Sequence, residues 1–158
     1  MIRLVSMSDA TYQAYLEVTV REYAEDKITA GNWQPEEALE RSAKEFQQLL
    51  PEGVATSDQY LYAIEDATVE MKVGMIWLAR IMQGNKPFMF IYDFVIDETQ
   101  RRKGYGEQAL RAAEEQAKAL GLDTIALHVF GHNQAARALY EKLGYEITNI
   151  NMAKKLTT

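Results

Sequence analysis

FMFIYDFVI, residues 88–96, opens the stretch that decides the fold of this chain. Eight of its nine residues are apolar or aromatic, which predicts a strand covered on both faces. The polar turn DETQ follows at 97–100, and RRKGYG at 101–106 then begins a helical pattern. Apolar residues recur through that pattern at helical spacing, at Ala109, Leu110, Ala113, Ala117 and Leu120. The predicted order is therefore strand, basic turn with two glycines, and helix.

A helix that begins after such a turn is suited to bind an anion. Its first N–H groups have no partner inside the helix, and their dipoles attract negative charge. Gly104 and Gly106 lack side chains, so a phosphate group can approach the backbone closely. Arg101, Arg102 and Lys103 add positive charge at the same turn. The turn predicts a diphosphate site, with a purely structural turn as the alternative.

The basic turn resembles the Arg/Gln-x-x-Gly-x-Gly/Ala signature of the GNAT superfamily of N-acetyltransferases. A second block, HVFGHNQAARALYEKLGY at 128–145, is similar to the closing pattern of that family. In that pattern an Asn opens a helix, Ala and Leu-Tyr follow, and Gly-Tyr or Gly-Phe ends it. YAEDK at 23–27 and LHVF at 127–130 are similar to stretches of small bacterial members.

The resemblance implies one GNAT N-acetyltransferase domain over residues 1–158, with an α+β (mixed α/β) fold. That fold has a central mixed, mostly antiparallel sheet, about four helices, and two parallel strands that splay apart. Acetyl-CoA is expected to lie in the gap between the splayed strands as cosubstrate. The implied reaction moves its acetyl group to a primary amine by direct attack in a ternary complex.

Residue roles follow from the resemblance by position. The residues implied to bind acetyl-CoA are Phe94, Val95, Ile96, Arg101, Arg102, Lys103, Gly104, Tyr105, Gly106 and Asn133. Tyr140 matches the family's tyrosine that faces the sulfur of the carrier, and it is the expected proton donor to the departing thiol. The alternatives are a core tyrosine at 140 and a helix cap at Asn133, for which Asn is among the best residues.

The acceptor amine must be neutral to attack. An amine with a pKa near 10.4 is neutral in only about one molecule in two thousand at pH 7, so a base helps. Asp93 is the candidate base, because it is the only ionisable group in an otherwise apolar strand and burial raises a carboxyl pKa. The alternatives are an acid held by a structural hydrogen bond, an acid that faces a cationic acceptor, and a water chain as base.

An acidic and aromatic cluster lies near the end of the predicted first helix. Glu22, Tyr23 and Asp26 belong to it, and Trp33 follows closely in sequence. In the implied fold the first two helices wall the acceptor pocket, and such a wall suits a cationic amine. The alternative is a solvated helix face.

Composition narrows the classes of function. The chain has 158 residues, enough for one domain with a core, and it has no cysteine, which excludes disulfides and a thiol nucleophile. Its formal net charge of −6 argues against nucleic-acid binding and favours a cationic acceptor. No apolar stretch or leader pattern suggests a membrane or export, so a cytoplasmic protein is expected. His128 and His132 have no third ligand at metal spacing, so no metal site is expected.

The remaining elements were assigned from periodicity and turn residues. Further helices are predicted at 9–28, 35–50 and 133–143. Further strands are predicted at 2–5, 60–65, 69–82 and 124–130, with one or two final strands at 145–156. The strand at 124–130 should follow the central strand through a parallel, right-handed crossover.

Two other classes of function stay open at this stage. One is a non-catalytic acyl-CoA sensor or interaction module that keeps the carrier site without turnover. The other is a nucleotide- or NAD-binding domain, although the turn lacks the third glycine of that fingerprint. The identity of the acceptor and the formation of a homodimer are not fixed by the sequence.

Overall fold

A computed structural model describes residues 1–157 and contains a single five-stranded sheet in the order β1-β2-β3-β4-β5. The strands are β1 (Ile2–Ser6), β2 (Gln59–Asp66), β3 (Met71–Gln83), β4 (Lys86–Ile96) and β5 (Ile125–Leu127). The helices are α1 (Asp9–Thr29), α2 (Pro35–Leu49), α3 (Tyr105–Ala119) and α4 (Gln134–Lys142). Short 3-10 turns lie at Gly53–Ala55 and Glu98–Gln100. The mixed α+β class and the four helices are as predicted.

The sheet changes direction at its last pair of strands. β1 to β4 pair antiparallel with their neighbours, whereas β4 and β5 are parallel. Parallel pairing covers only Met89↔Ile125 to Ile91↔Leu127. The residues of β4 beyond Ile91 therefore have no β5 partner, and the two strands splay apart as expected. We call the space beside residues 92–96 the gap.

A β-bulge in β4 decides which way its side chains point. Trp77 of β3 is opposite Asp93 while Leu78 is opposite Ile91, so Tyr92 is an extra residue. Since strand side chains alternate between faces, one extra residue reverses the faces of all that follow. Without the bulge, Asp93 would share the α3 face with Met89 and Ile91; with it, Asp93 faces α1.

Two apolar layers hold the helices to the sheet. The layer beneath α3 has at its centre Ile76, Leu78, Met89, Leu110 and Ala113, each fully buried. The layer beneath α1 and α2 contains Trp77 and Phe46, and Trp77 stacks on Tyr92 with ring centroids 4.6 Å apart. β4 thus contributes to both layers, which accounts for its nearly continuous apolar sequence.

The C-terminal prediction was wrong. Residues 145–157 contain no strand, and β5 spans three residues, not the seven predicted at 124–130. A strand needs a hydrogen-bonded neighbour, and within the described chain β5 pairs only with β4. Among residues 1–157, no helix is long and apolar enough to cross a membrane.

Candidate functional site

Asp93 is fixed at the gap by two hydrogen bonds. The Tyr15 hydroxyl donates to its Oδ2 at 2.8 Å, and the Phe94 backbone N–H donates to its Oδ1 at 2.9 Å. Its carboxyl group lies half-buried between β4 and α1. A half-buried acid with both oxygens bonded to donors is held in one orientation.

The surroundings of Asp93 act on its pKa in opposite directions. Burial raises the pKa above its ordinary value, and the nearby negative charges of Glu22 and Asp26 raise it further. The hydrogen bonds from Tyr15 and Phe94 lower it but do not cancel the effect of burial. The net result is a raised carboxyl pKa, the direction that makes an acid a stronger base.

Tyr15 was missed as a site residue by reasoning from the sequence. It lies on one stripe of α1 with Thr19, Glu22 and Asp26, at spacings of four, three and four. Thr19 is buried one turn after Tyr15, and both acids act on Asp93. The polar residues on this stripe were the sequence signal for a site. Because Tyr15 has an apolar ring, it was not recognised as part of that polar set.

Tyr140 is positioned by α4 on the other side of the gap. Burial, followed by the charge of Asp93, raises its pKa to about 12. The hydroxyl therefore keeps its proton throughout the neutral range and is available as a donor. The ring also packs on Tyr145, with ring centroids 5.7 Å apart, so Tyr140 is part of the core as well as close to Asp93.

The turn before α3 has the backbone shape of an anion site. Arg102 and Gly104 both have positive φ, +65° and +81°, and Gly104 caps the helix. Such left-handed residues point successive N–H groups into one concavity, which the α3 dipole makes more positive. The first-turn N–H groups of Tyr105 and Gly106 lie at this helix start.

The two glycines of the turn serve different purposes. Gly104 is required for its left-handed backbone, since a Cβ there would meet only the Gln108 amide at 3.9 Å. Gly106 is required for packing, because a Cβ there would approach Leu139 at 3.3 Å and Phe94 at 3.6 Å. Gly106 therefore lets α3, α4 and β4 come together beside the gap.

The three cations of the turn are used differently. Arg101 Nε donates to the Ile96 carbonyl at 3.0 Å, and Lys103 Nζ donates to Gln100 at 3.1 Å. Within residues 1–157 the side chain of Arg102 makes no hydrogen bond or ion pair with another group. Arg101 thus connects the turn to the end of β4, and Arg102 is the one cation of the turn without a bonded partner among residues 1–157.

Backbone groups of β4 face the gap at alternate residues. The Asp97 N–H donates to the Val73 carbonyl of β3 at 2.8 Å. By alternation, the backbone groups of Val95 also point to β3, and those of Phe94 and Ile96 point to the gap. The Ile96 carbonyl is already bound to Arg101, and the Phe94 N–H to Asp93.

Asn133 caps α4. Its Oδ1 accepts a hydrogen bond from the Ala136 N–H at 3.3 Å, which is the helix-cap role considered for it. The side-chain NH2 group is not part of that bond and remains a donor.

The structure places the residues of the predicted acceptor wall in two separate groups. Glu22 and Asp26 act on Asp93, and Asp26 Oδ1 lies 3.3 Å from His132 Nε2 in the loop before α4. Tyr23 packs between Trp33 and Phe46, with Phe130 6.5 Å away. Trp33 is buried and covered by Arg41 at 4.7 Å, so it lies outside the group around Asp93.

The sequence-predicted site residues thus form two groups at one gap. The acid group combines Asp93, Glu22 and Asp26 with the hydroxyl of Tyr140 nearby, and the anion group is the turn at 101–106. His128 and His132 belong to the rim, and burial lowers the pKa of His128, which favours its neutral form. Within the described chain no cluster of three or more His, Asp or Glu is arranged to hold a metal ion.

Comparisons with known proteins give one consistent family and fold. The family model described as "Acetyltransferase (GNAT) family" matches residues 16–145. The chain is 39% identical to the uncharacterised N-acetyltransferase YycN of Bacillus subtilis (strain 168), over 98% of this chain and 99% of the relative. It is 36% identical to a second uncharacterised N-acetyltransferase of that organism, YdgE, over 97% of each. The crystal structure of YycN superposes with a TM-score of 0.93 over 100% of both chains.

Proposed function

The chain belongs to the acetyltransferase (GNAT) family, and from that premise we propose that it transfers an acetyl group from acetyl-CoA to a primary amine by direct attack in a ternary complex. The fold and the acyltransferase class follow from the family. The observation that carries the rest is Asp93, a half-buried carboxyl at the gap with a raised pKa and acids beside it.

The acetyl-CoA site is proposed on two backbone segments. N–H groups from Arg102 to Gly106, with the side chain of Arg102, bind the diphosphate. The two gap-facing groups that are not already bonded, the Phe94 carbonyl and the Ile96 N–H, bind the pantetheine arm with its thioester. The Asn133 NH2 group adds a donor from the α4 side. The splay of β4 from β5 and the concave turn before α3 support this placement.

A protonated acceptor first releases one proton to solvent, and Asp93 takes the second proton as the neutral nitrogen attacks. A positioned base of suitable pKa typically accelerates such a step about 100- to 10,000-fold. As nitrogen attacks the thioester carbon, the C–S bond breaks and the thiolate leaves. The hydroxyl of Tyr140, which is protonated across the neutral range, donates a hydrogen bond to that sulfur, and the released thiolate takes up a proton from solvent.

The acceptor is proposed to be a cationic amine. Glu22 and Asp26 lie on the stripe of α1 that faces Asp93, so a positively charged acceptor gains attraction as it approaches. A backbone N–H facing the gap, such as that of Ile96, is suited to stabilise the oxyanion formed during attack.

The test is amine-dependent release of free thiol from acetyl-CoA, measured over a panel of small primary amines. We expect turnover with cationic members, and about 100- to 10,000-fold lower kcat/KM in Asp93→Asn. Asp123→Asn is the matched control, because Asp123 is exposed and pairs with Lys86 beyond the far end of β5. Acetyl-CoA binding without thiol release on any amine would instead favour the non-catalytic sensor.

A further inference from the structure

A side-chain contact joins α1 to the loop before α4 at the rim of the gap. Asp26 Oδ1 lies 3.3 Å from His132 Nε2, although the two residues are 106 positions apart in sequence. Asp26 is also one of the two acids of α1 whose charge acts on Asp93. The side chains of Asp26 and His132 are 48% and 39% exposed, so solvent and a dissolved cation can reach both. The contact therefore lies where a positively charged acceptor is proposed to approach.

The ring of His132 is held in place by aromatic contacts as well as by Asp26. It stacks on Phe130, with ring centroids 5.4 Å apart and 22° between the ring planes. Phe130 lies 6.5 Å from Tyr23 of α1, and the ring of His128 packs on it edge-to-face at 5.0 Å. Because such contacts hold a neutral and a protonated imidazole alike, a change of protonation alters the charge beside Asp26 and leaves the ring in place.

The other cations of this corner are engaged elsewhere. Lys27 Nζ lies over two aromatic rings, 5.4 and 5.6 Å from their centroids, and Arg137 forms an ion pair within α4. Among residues 1–157, no cation other than His132 lies within salt-bridge distance of Glu22 or Asp26. The charged and titratable groups of this corner are Glu22, Asp26 and Lys27 of α1, Asp93 of β4, His128 of the loop, and Arg137 and Tyr140 of α4.

We propose that His132 sets the preference of this site for cationic over neutral acceptors, by competing with the acceptor for Asp26. The inference deepens the proposed function and rests on it. Histidine is the side chain whose charge ordinarily changes between about pH 5 and 8. At the upper end of that range the imidazole is neutral, and Asp26 presents its full negative charge to a cation. At the lower end the imidazolium neutralises Asp26, so the attraction for a cationic acceptor weakens.

The preference can be separated from the titration of the acceptor amine itself. Every primary amine reacts faster as pH rises, because more of it is neutral, and this gain is the same for acceptors with a cationic or a neutral remote group. The ratio of their kcat/KM values therefore cancels the gain and reports the charge of the site. One unit charge at contact distance in an exposed site corresponds to about a fivefold change in that ratio.

The first test uses an unreactive cation, propanol with a terminal trimethylammonium group, and needs no acetyl transfer. Its affinity is measured by NMR from the shifts of the Glu22 and Asp26 backbone amides. The measurement is made in the Asp93→Asn variant, so that the acid of β4 does not titrate. We expect binding about fivefold weaker at about pH 5 than at about pH 8. No binding at either pH, or equal affinity at both, overturns the proposal.

Substitution of each histidine identifies the group that titrates. His132→Gln should bind the probe more tightly at both pH values, because a neutral donor stays beside Asp26. His132→Arg should bind it weakly at both, because the charge is then permanent. His128→Gln is the matched control, since it removes the other histidine of the chain from the same loop, and the pH dependence should persist in it. A pH dependence that survives in His132→Gln, or disappears in His128→Gln, contradicts the proposal.

The second test compares two acceptors, propylamine with a terminal trimethylammonium group and its neutral counterpart with a terminal tert-butyl group. In the wild type the cationic-to-neutral ratio of kcat/KM should fall about fivefold from about pH 8 to about pH 5, and in His132→Gln it should stay constant. Transfer to both amines with a ratio that does not change with pH overturns the role of His132 and leaves the proposed function standing. Probe binding with the expected pH dependence, but no transfer to any amine, supports the role of His132 in cation binding and counts against acetyl transfer instead.

Discussion

Asp93 owes its position to one extra residue in β4 and its orientation to one hydroxyl on α1. The bulge at Tyr92 turns Asp93 away from the α3 layer, and Tyr15 then bonds its Oδ2 at 2.8 Å. The bulge could not be predicted from the sequence. Nothing in FMFIYDFVI indicates which of its residues will lack a partner on the neighbouring strand. The presence of the acid could be predicted from the sequence, but not the face on which it lies.

Tyr15→Phe should move the acidic limb of kcat/KM to higher pH. The Tyr15 hydrogen bond lowers the pKa of Asp93, so its loss leaves burial and the charges of Glu22 and Asp26 less opposed. The working form is the carboxylate, which would then appear only at higher pH. The measurement is the pH dependence of kcat/KM, together with the 13C titration of the Asp93 carboxyl by NMR.

Tyr12→Phe is the control for this change, since Tyr12 is a buried tyrosine of the same helix without a bond to Asp93. If Tyr15→Phe lowers kcat/KM equally at all pH values and the NMR titration does not move, Tyr15 is structural and does not tune Asp93.

Asp93→Asn should become progressively more stable relative to the wild type as pH rises. The ordinary pKa is 3.8 and the folded value is higher, so between the two the folded state holds more protons than the unfolded state. Stability of the wild type therefore falls as pH rises through that window. The Asn side chain does not ionise, so the stability of the variant does not fall through that pH window. Urea unfolding at several pH values measures the difference, and a difference that stays constant or shrinks would refute the raised pKa.

At the scale of elements, strand, turn and helix were predicted together because each has a local signal. Apolar continuity indicated β4, and helical spacing indicated α3. The distinct roles of Gly104 and Gly106 were not visible in sequence, since one depends on φ and the other on Leu139 and Phe94 across the gap. The role of Tyr15 could not be predicted for a related reason. Its ring has the apolar character of a core residue, while its hydroxyl bonds Asp93 of β4.

Gly104→Asp should abolish measurable acetyl-CoA binding, because a carboxylate would stand at the N-terminus of α3 where the diphosphate is proposed. Titration calorimetry on the folded variant measures this. Gly84→Asp is the matched control: Gly84 also has positive φ and open space around it, so it carries the same strain and charge in the β3–β4 hairpin. Undiminished affinity in Gly104→Asp would remove the diphosphate from this turn.

At the scale of the whole molecule, the errors of prediction have one physical cause. Strands were predicted at 124–130 and 145–156 from the apolar pattern, but a pattern becomes a strand only when a partner is present. Within one chain of described residues that partner is missing for both segments. Sequence periodicity describes what a segment is suited for, and the presence of a hydrogen-bonded neighbour decides whether the strand forms.

The charge of the molecule predicts a salt dependence. With a net charge of −6 and acids beside the gap, kcat/KM for a cationic amine should fall as ionic strength rises. The Glu22→Gln and Asp26→Asn double variant should have a lower kcat/KM and a flatter salt dependence. Steady-state kinetics from low to high salt with a neutral amine as reference measures this. Equal salt dependence for both amines would contradict attraction of the acceptor by α1.

The most direct measurement follows the acetyl group itself. Acetyl-CoA labelled with 13C in the acetyl carbonyl is incubated with the enzyme and a cationic primary amine panel, and the label is followed by NMR. The account predicts that the label appears in an amide on an amine, and that Asp93→Asn slows its appearance while Asp123→Asn does not. Label that stays in the thioester, or passes only to free acetate, would contradict acetyl transfer to nitrogen at this gap.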